Sequence, residues 1–142
     1  MKRAIAAVLI ISSLASSGTV QSQGDWQLTD GFLSPSGNIF CRVGNSSGIL
    51  MCEVRKSSAK PPPGRPTDCP VYWGKHFYIE ARGKAVTLCW GENIPFGTVP
   101  VLPYGKVLQV GGTRCDMTTT RLRCVNLDKH GFELSRARQI LF

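Results

Sequence analysis

Six cysteines are the residues of this sequence whose type and number most directly imply chemistry. An even count, with the first cysteine at position 41, favours three disulfide bonds in an oxidising compartment and leaves no thiol for catalysis. Zinc ligation is the alternative use, but no two cysteines have the gap of about two to four residues that is typical of a zinc knuckle. The candidate disulfide residues are Cys41, Cys52, Cys69, Cys89, Cys115 and Cys124.

Two serines in the stretch SPSGNIFC, Ser34 and Ser36, are the candidate nucleophiles. A serine hydrolase needs a histidine base within hydrogen-bond reach, and His76 and His130 are the two histidines of the chain. Neither serine lies in a Gly-x-Ser-x-Gly motif, and no strand-turn-helix pattern is present to form a nucleophile elbow. A type I turn over residues 34–37 explains both serines as turn formers.

Other catalytic patterns are absent from the sequence. The acidic residues show no marked pair of the kind that glycoside hydrolysis requires. The Gly111-Gly112 pair precedes a predicted strand rather than a helix, so it is not a phosphate-binding loop. We therefore expect a protein without catalytic residues, metal or cofactor.

Arginine and tryptophan side chains are the candidates for binding a partner. Alternate arginines on neighbouring strands would form a basic stripe that holds phosphates or carboxylates, whereas solvated arginines are the alternative. Exposed tryptophans bind sugars or protein partners, and buried ones cover a core. Few aromatic residues accompany the arginines, so no nucleic acid is expected. The candidate binding residues are Arg121, Arg123, Arg136, Arg138, Trp73 and Trp90.

The amino terminus has the pattern of a secretory signal peptide. Lys2 and Arg3 precede an apolar run over 4–14, and small or polar residues follow. This run of 11 positions is shorter than the stretch of about 20 that spans a membrane. We predict a signal peptide over 1–22, one exported domain over 23–142 and no membrane span after cleavage. The formal charge of +8 falls to +6 once the two cations leave, which favours an anionic envelope component or another protein as partner.

The exported part is predicted to be all-β. Short segments of alternating apolar and polar residues lie between turn signals supplied by 15 glycines and 9 prolines, and no run of apolar residues has helical spacing. The expected fold is a small disulfide-stapled sandwich or barrel of antiparallel hairpins. In the first hairpin, counting along the two strands places apolar residues opposite each other on one face. The predicted pairs are Ile39 with Val54, Cys41 with Cys52 and Val43 with Leu50.

Two further hairpins are predicted in the same way. The strands that carry Cys115 and Cys124 place Asp116 opposite Arg123, and their turn at Thr119-Thr120 is expected to need a bulge because β-branched residues disfavour positive φ. A hairpin around Arg82-Gly83 brings Cys89 to the end of its second strand. Its predicted pairs are Phe77 with Leu88 and Ile79 with Val86. Of the possible connectivities, we predict disulfides between Cys41 and Cys52, Cys69 and Cys89, and Cys115 and Cys124.

Several of these stretches together resemble a family of small exported bacterial proteins known as a domain of unknown function. The resemblance spans about residues 32–142 and implies an exported bacterial domain, but no activity, substrate or catalytic residue. The family pattern has a glycine near position 120, where this chain has threonine and arginine. The stretches are SPSGNI at 34–39 followed by Cys41, LPYG at 102–105, Gly111 ahead of Cys115, and GFELS at 131–135.

These observations favour a non-enzymatic binding or interaction domain of the bacterial periplasm or exterior. A small extracytoplasmic hydrolase is the second hypothesis, and it requires a pocket in which His76 or His130 meets a carboxylate. A structural envelope protein is the third, and it requires neither a pocket nor an exposed aromatic patch.

Overall fold

The computed structural model describes residues 30–44, 48–95 and 97–142, and the predicted signal peptide lies outside them. The described residues form ten strands and no helix. No described helix could therefore cross a membrane. The strands are β1 (Gly31–Leu33), β2 (Ile39–Val43), β3 (Leu50–Val54), β4 (His76–Ile79), β5 (Val86–Leu88), β6 (Val107–Val110), β7 (Thr113–Met117), β8 (Leu122–Val125), β9 (Gly131–Leu134) and β10 (Gln139–Leu141).

Two five-stranded antiparallel sheets are built from consecutive hairpins. The first has the order β1-β2-β3-β4-β5 and the second has the order β10-β9-β8-β7-β6. Each sheet is thus a simple meander, and the two sheets are not closed into a barrel. The predicted all-β class is confirmed, and of the two predicted architectures the open sheets correspond to a sandwich.

The core lies between the two sheets because alternate side chains of each strand point to one face. One cluster of buried residues includes the cysteines of β2 and β3 from the first sheet and those of β7 and β8 from the second. The rings of Phe77 and Phe132, one from each sheet, lie 6.2 Å apart between centroids. Three disulfides join Cys41 to Cys52, Cys69 to Cys89 and Cys115 to Cys124.

The registers of two predicted hairpins are observed. Cys41 faces Cys52 with a Cα separation of 4.0 Å, and Asp116 faces Arg123. The predicted bulge at Thr119-Thr120 is wrong, because Lys129 is the one described residue other than glycine with positive φ. Thr118 makes the bulge unnecessary, since its hydroxyl accepts hydrogen bonds from the backbone N–H groups of Thr120 and Arg121 at 3.3 and 3.2 Å.

The predicted register of the third hairpin is wrong by one residue. The structure pairs Phe77 with Thr87 and Tyr78 with Val86. Ala85 enters the core at 7% exposure, while Val86 stays 41% exposed. The reason lies in the second sheet, where the Asn126 side-chain amide donates hydrogen bonds to the carbonyls of residues 80 and 83 at 3.1 and 2.6 Å and so fixes the hairpin loop.

The segment that links the sheets is described over residues 89–95 and 97–106, and it contacts the first sheet at two places. The N–H of Ile94 donates a hydrogen bond of 2.8 Å to the Glu53 carboxylate, whose side chain points away from the core. Further on, Leu33 of β1 accepts a hydrogen bond of 2.9 Å from the N–H of Leu102. We call residues 90–95 and 97–102 the strap: Ile94 covers the Glu53 carboxylate on the outer face, and Leu102 enters the core between the sheets.

Candidate functional site

A cleft of about 690 Å³ lies at one end of the sandwich, where turns from both sheets meet. The first sheet contributes the β1–β2 turn and the residues that follow β3. The second sheet contributes the β7–β8 and β9–β10 turns, and Tyr104 comes from the approach to β6. We call this the turn cleft, and it is lined by residues 34, 36–39, 55–56, 104, 117–121 and 134–137.

The β1–β2 turn is held by the buried hydroxyl of Ser34. The N–H of Gly37 donates to the Ser34 carbonyl at 2.8 Å, and the N–H of Ile39 donates to the Ser34 hydroxyl at 3.0 Å. Gly37 has φ of +70°, a conformation that glycine adopts without strain. The hydroxyl oxygens of Ser34 and Ser36 lie 3.0 Å apart, within hydrogen-bond distance. The predicted turn over 34–37 is therefore present, and it forms one wall of the turn cleft.

Asn38 connects the residues after β3 to this turn through hydrogen bonds. Its side-chain oxygen accepts a hydrogen bond of 2.8 Å from the N–H of Lys56, and its amide donates one of 2.9 Å to the Lys56 carbonyl. The N–H of Arg55 donates to the Asn38 carbonyl at 2.9 Å. These bonds fix the backbone of Arg55 and Lys56 beside the turn cleft. A ligand therefore needs to order only the two side chains.

The β9–β10 turn brings a third cation to the same place. The hydroxyl of Ser135 accepts a hydrogen bond of 2.9 Å from the N–H of Arg138, which closes a two-residue turn around Arg136 and Ala137. The Arg136 carbonyl accepts hydrogen bonds from the N–H groups of residues 58 and 59 at 2.8 and 3.1 Å. The segment that follows β3 is thus hydrogen-bonded to the β9–β10 turn of the second sheet.

A second cleft of about 520 Å³ shares three lining residues with the first. The shared residues are Arg55, Lys56 and Arg136, which we call the basic ridge. Because the ridge borders both spaces, the two clefts are adjacent and a single ligand can contact both. We call the second space the side cleft, and it is lined by residues 54–57, 72, 75 and 136.

Every charged side chain among the described residues that line the two clefts is a cation. Lys56 and Arg136 are exposed and have no carboxylate within 4.0 Å among the described residues. Arg121 differs, since it lies 2.9 Å from Asp116 and 3.9 Å from Glu133. The charges of Lys56 and Arg136 are therefore less compensated than that of Arg121, and a negatively charged group is favoured beside these two residues.

The predicted basic stripe does not form. Arg121 and Arg136 line the turn cleft, whereas Arg123 lies outside it, with its guanidinium 3.1 Å from Glu133 and 4.6 Å from the Phe142 ring centroid. Glu133 faces Arg123 across β8 and β9 and compensates its charge. Arg138 is exposed but lines neither cleft. The stripe fails because 136 and 138 belong to a turn rather than to a strand.

The two candidate tryptophans have different roles. Trp73 is 7% exposed and donates a hydrogen bond of 2.7 Å from its indole nitrogen to the Pro62 carbonyl, so it covers the polyproline segment. Trp90 is 46% exposed at the start of the strap and lines neither cleft. Neither residue therefore contributes to the clefts.

His76 meets a carboxylate, but in the interior. Its Nε2 lies 3.8 Å from Oε2 of Glu53, and both side chains are fully buried beneath the strap. Burial lowers the pKa of His76 below its usual value, while the nearby Glu53 carboxylate opposes that change. Lys75 places its Nζ 3.6 Å from the other Glu53 oxygen and 2.5 Å from the Asn93 side chain. The pair lines neither cleft and supports the packing of the strap.

Sequence reasoning identified Arg121 and Arg136 but missed Arg55, Lys56 and the two exposed tyrosines, Tyr72 and Tyr104, as cleft residues. These residues belong to separate turns and connections, so no local spacing links them. One sequence feature could have identified part of the turn cleft. Three of the stretches that resemble the exported family supply cleft residues: SPSGNI supplies 34 and 36–39, LPYG supplies 104, and GFELS supplies 134 and 135.

Comparison with known proteins gives one match. A family model described as "Family of unknown function (DUF6636)" matches residues 9–142, which is most of the chain. No curated protein and no solved structure matches the chain.

Proposed function

The chain belongs to this family of unknown function, and we propose that it is a non-enzymatic binding domain of the bacterial periplasm or exterior. In this proposal the turn cleft and the basic ridge hold an anionic ligand. The three disulfides are consistent with an extracytoplasmic protein.

The observation that carries the proposal is the charge of the clefts. Three cations from connections of two different sheets border two adjacent clefts, and no carboxylate lines either cleft among the described residues. The backbone of each cation is already fixed by hydrogen bonds to a neighbouring turn. Binding then costs less conformational entropy than ordering a mobile loop would cost.

The lining also favours binding over catalysis. Hydroxyl and cationic side chains border the turn cleft, but none of the described lining residues is a histidine or a carboxylate that could act as general base. The Ser34 hydroxyl already accepts the N–H of Ile39. A hydrolase remains the second hypothesis, and the buried Glu53–His76 pair is the feature that favours it.

The test is an NMR titration of the oxidised protein with two anionic polymers, a hexamer of galacturonic acid and inorganic polyphosphate, at low salt. We expect the amide shifts to concentrate at 36–39, 55–56, 117–121 and 134–137. Changing both Lys56→Gln and Arg136→Gln should weaken binding by about tenfold or more, since charge-assisted hydrogen bonds are lost.

Arg136→Gln alone should also weaken binding, and Arg138→Gln is its matched control, because each variant removes one charge from the same turn but Arg138 lies outside both clefts. Binding should be unchanged in Arg138→Gln. An equal loss in Arg138→Gln, or shifts centred away from the clefts, would contradict the proposal.

A further inference from the structure

We propose that the ligand is an acidic oligosaccharide that lies across both clefts. Its carboxylate or sulfate groups contact the basic ridge, and its sugar rings contact Tyr104 in the turn cleft and Tyr72 in the side cleft. This inference rests on the function proposed above and specifies the chemical class of the ligand.

The extent of the site indicates an oligomer rather than a single small anion. Pockets of about 300–1,000 Å³ accommodate small organic ligands, and each of the two clefts is in this range. Because Arg55, Lys56 and Arg136 line both, a ligand that contacts the ridge from both sides must extend into two such spaces. A chain of sugars has the required length.

The aromatic residues indicate rings in that ligand. Tyr104 is 46% exposed and Tyr72 is 54% exposed, and each lines a different cleft. A tyrosine offers an apolar ring face together with a hydroxyl, and sugars present the matching combination of C–H face and hydroxyl edge. The basic ridge is common to both clefts, so it lies where acidic groups between the two rings would be held.

The hydroxyl groups of the turn cleft suit sugar hydroxyls. Ser36, Thr119 and Thr120 are exposed side chains on its walls. The Ser36 and Thr120 hydroxyls lie 3.0 and 3.1 Å from those of Ser34 and Thr118, and a hydroxyl that uses one donor or acceptor site in this way keeps another for a sugar hydroxyl.

These features favour a glycan over single-stranded nucleic acid. Nucleic-acid grooves stack successive bases on several aromatic residues along the strand. Here one tyrosine lines each cleft among the described residues, and the cations lie in the shared border.

Calorimetric titration with defined oligomers tests the inference. The probes are a dimer and a hexamer of galacturonic acid, a heparin-derived hexasaccharide, maltohexaose, inorganic polyphosphate and an oligodeoxythymidine. We expect at least one acidic hexamer to bind about tenfold more tightly than maltohexaose, and the uronate hexamer to bind more tightly than the dimer. Comparison of the uronate with the heparin fragment distinguishes carboxylate from sulfate.

Tyrosine variants test the ring contacts directly. Tyr104→Ala and Tyr72→Ala should each weaken binding of the acidic hexamer by about fivefold, whereas the phenylalanine variants should retain most of the affinity. Trp90→Ala is the control, because Trp90 is also exposed but lines neither cleft.

The outcomes separate this inference from the proposed function. Polyphosphate binding as tightly as the acidic hexamers, with no effect of the tyrosine variants, would overturn the glycan inference and leave an anion-binding cleft. Equal affinity for the uronate dimer and hexamer would overturn binding across both clefts. Tighter binding of the oligodeoxythymidine would replace the glycan by nucleic acid. If none of the anionic probes perturbs the clefts, both proposals fail.

Discussion

At Gly131, the first residue of β9, the chain passes too close to its neighbour for any side chain. A Cβ atom placed there would lie 1.9 Å from the carbonyl oxygen of Cys124. Gly131→Ala should therefore destabilise the protein by about 1–3 kcal/mol, because β8 and β9 must move apart. Urea unfolding at equilibrium measures the change. Gly97→Ala is the control, since a Cβ there meets nothing within 4 Å, and an equal loss in both variants would contradict the steric explanation.

His76 should make stability depend on pH. Burial lowers the pKa of His76 from its usual 6.5, with Glu53 opposing the change and Lys75 adding to it. As the pH falls below 6.5, the unfolded chain takes up a proton on this residue before the folded protein does, so the free energy of unfolding decreases until the folded pKa is reached.

The measurement for His76 is the urea midpoint at about pH 7.5 and at about pH 5.5, in the protein and in His76→Gln. The variant should lose less stability than the parent between the two values. Asp128 does not confound the comparison, because its pKa is lowered from 3.8 by the N–H of Gly83 and by Arg82, so it titrates below this range. An unchanged difference between the two pH values would exclude His76 as the cause.

At the scale of the element, the strap bonds to the backbone of β1 near its end, and near Ile94 it is attached to the first sheet through a buried carboxylate. Glu53 is fully buried, accepts the N–H of Ile94 at 2.8 Å and lies 3.6 Å from the ammonium of Lys75. Glu53→Ala should cost about 2–4 kcal/mol, since it leaves a buried N–H without an acceptor and Lys75 without its carboxylate. Glu53→Gln should cost less because it keeps an acceptor for Ile94.

Hydrogen exchange at the Ile94 amide distinguishes loss of the strap contact from global destabilisation. In Glu53→Ala this amide should exchange faster relative to the amides of β7 and β8. Glu92→Ala, an exposed residue on the same strap, is the control and should leave the exchange unchanged. Equal exchange of Ile94 in parent and Glu53→Ala would show that the bond does not hold the strap.

The hairpins show why part of the fold was predictable. In the first, Ile39, Val43 and Leu50 share a face with the cysteines, so one register pairs apolar residues with each other along that face. In the third, Val86 and Leu88 alternate with Ala85 and Thr87, and either pair could point inward. The choice is made by Asn126, about 40 positions later in the sequence, through bonds that no local pattern contains.

The candidate site was predictable only in part for a related reason. Arg121 and Arg136 were predicted as binding residues because arginines alternate in their segments. That alternation implied a strand face, but residue 136 lies in a turn. Lys56 was not predicted as a binding residue, because its position is set by hydrogen bonds to Asn38, which lies 18 residues earlier, directly before β2. Which turns meet in the turn cleft depends on how the two sheets pack against each other. The sequence of one turn does not specify the turns that lie beside it.

At the scale of the whole molecule, no disulfide joins the two sheets. Cys41, Cys52, Cys69 and Cys89 all precede residue 90, and the remaining pair lies within the second sheet. The sheets are held together by the shared apolar core and by polar contacts between their loops, such as Arg82 with Asp128 at 2.6 Å. Burial of apolar surface is therefore the main term that maintains the sandwich and the turn cleft at its end.

Cleavage between the sheets tests this organisation. A protease site inserted at the exposed Gly97 should yield two fragments that remain associated in native buffer, because the core survives the cut. In denaturant without reductant they should separate, since the predicted disulfides place four cysteines on one fragment and two on the other. Fragments that stay linked until a thiol is added would disprove the pairing of Cys115 with Cys124. Fragments that separate in native buffer would show that the loop contacts and core do not hold the two sheets together without the strap.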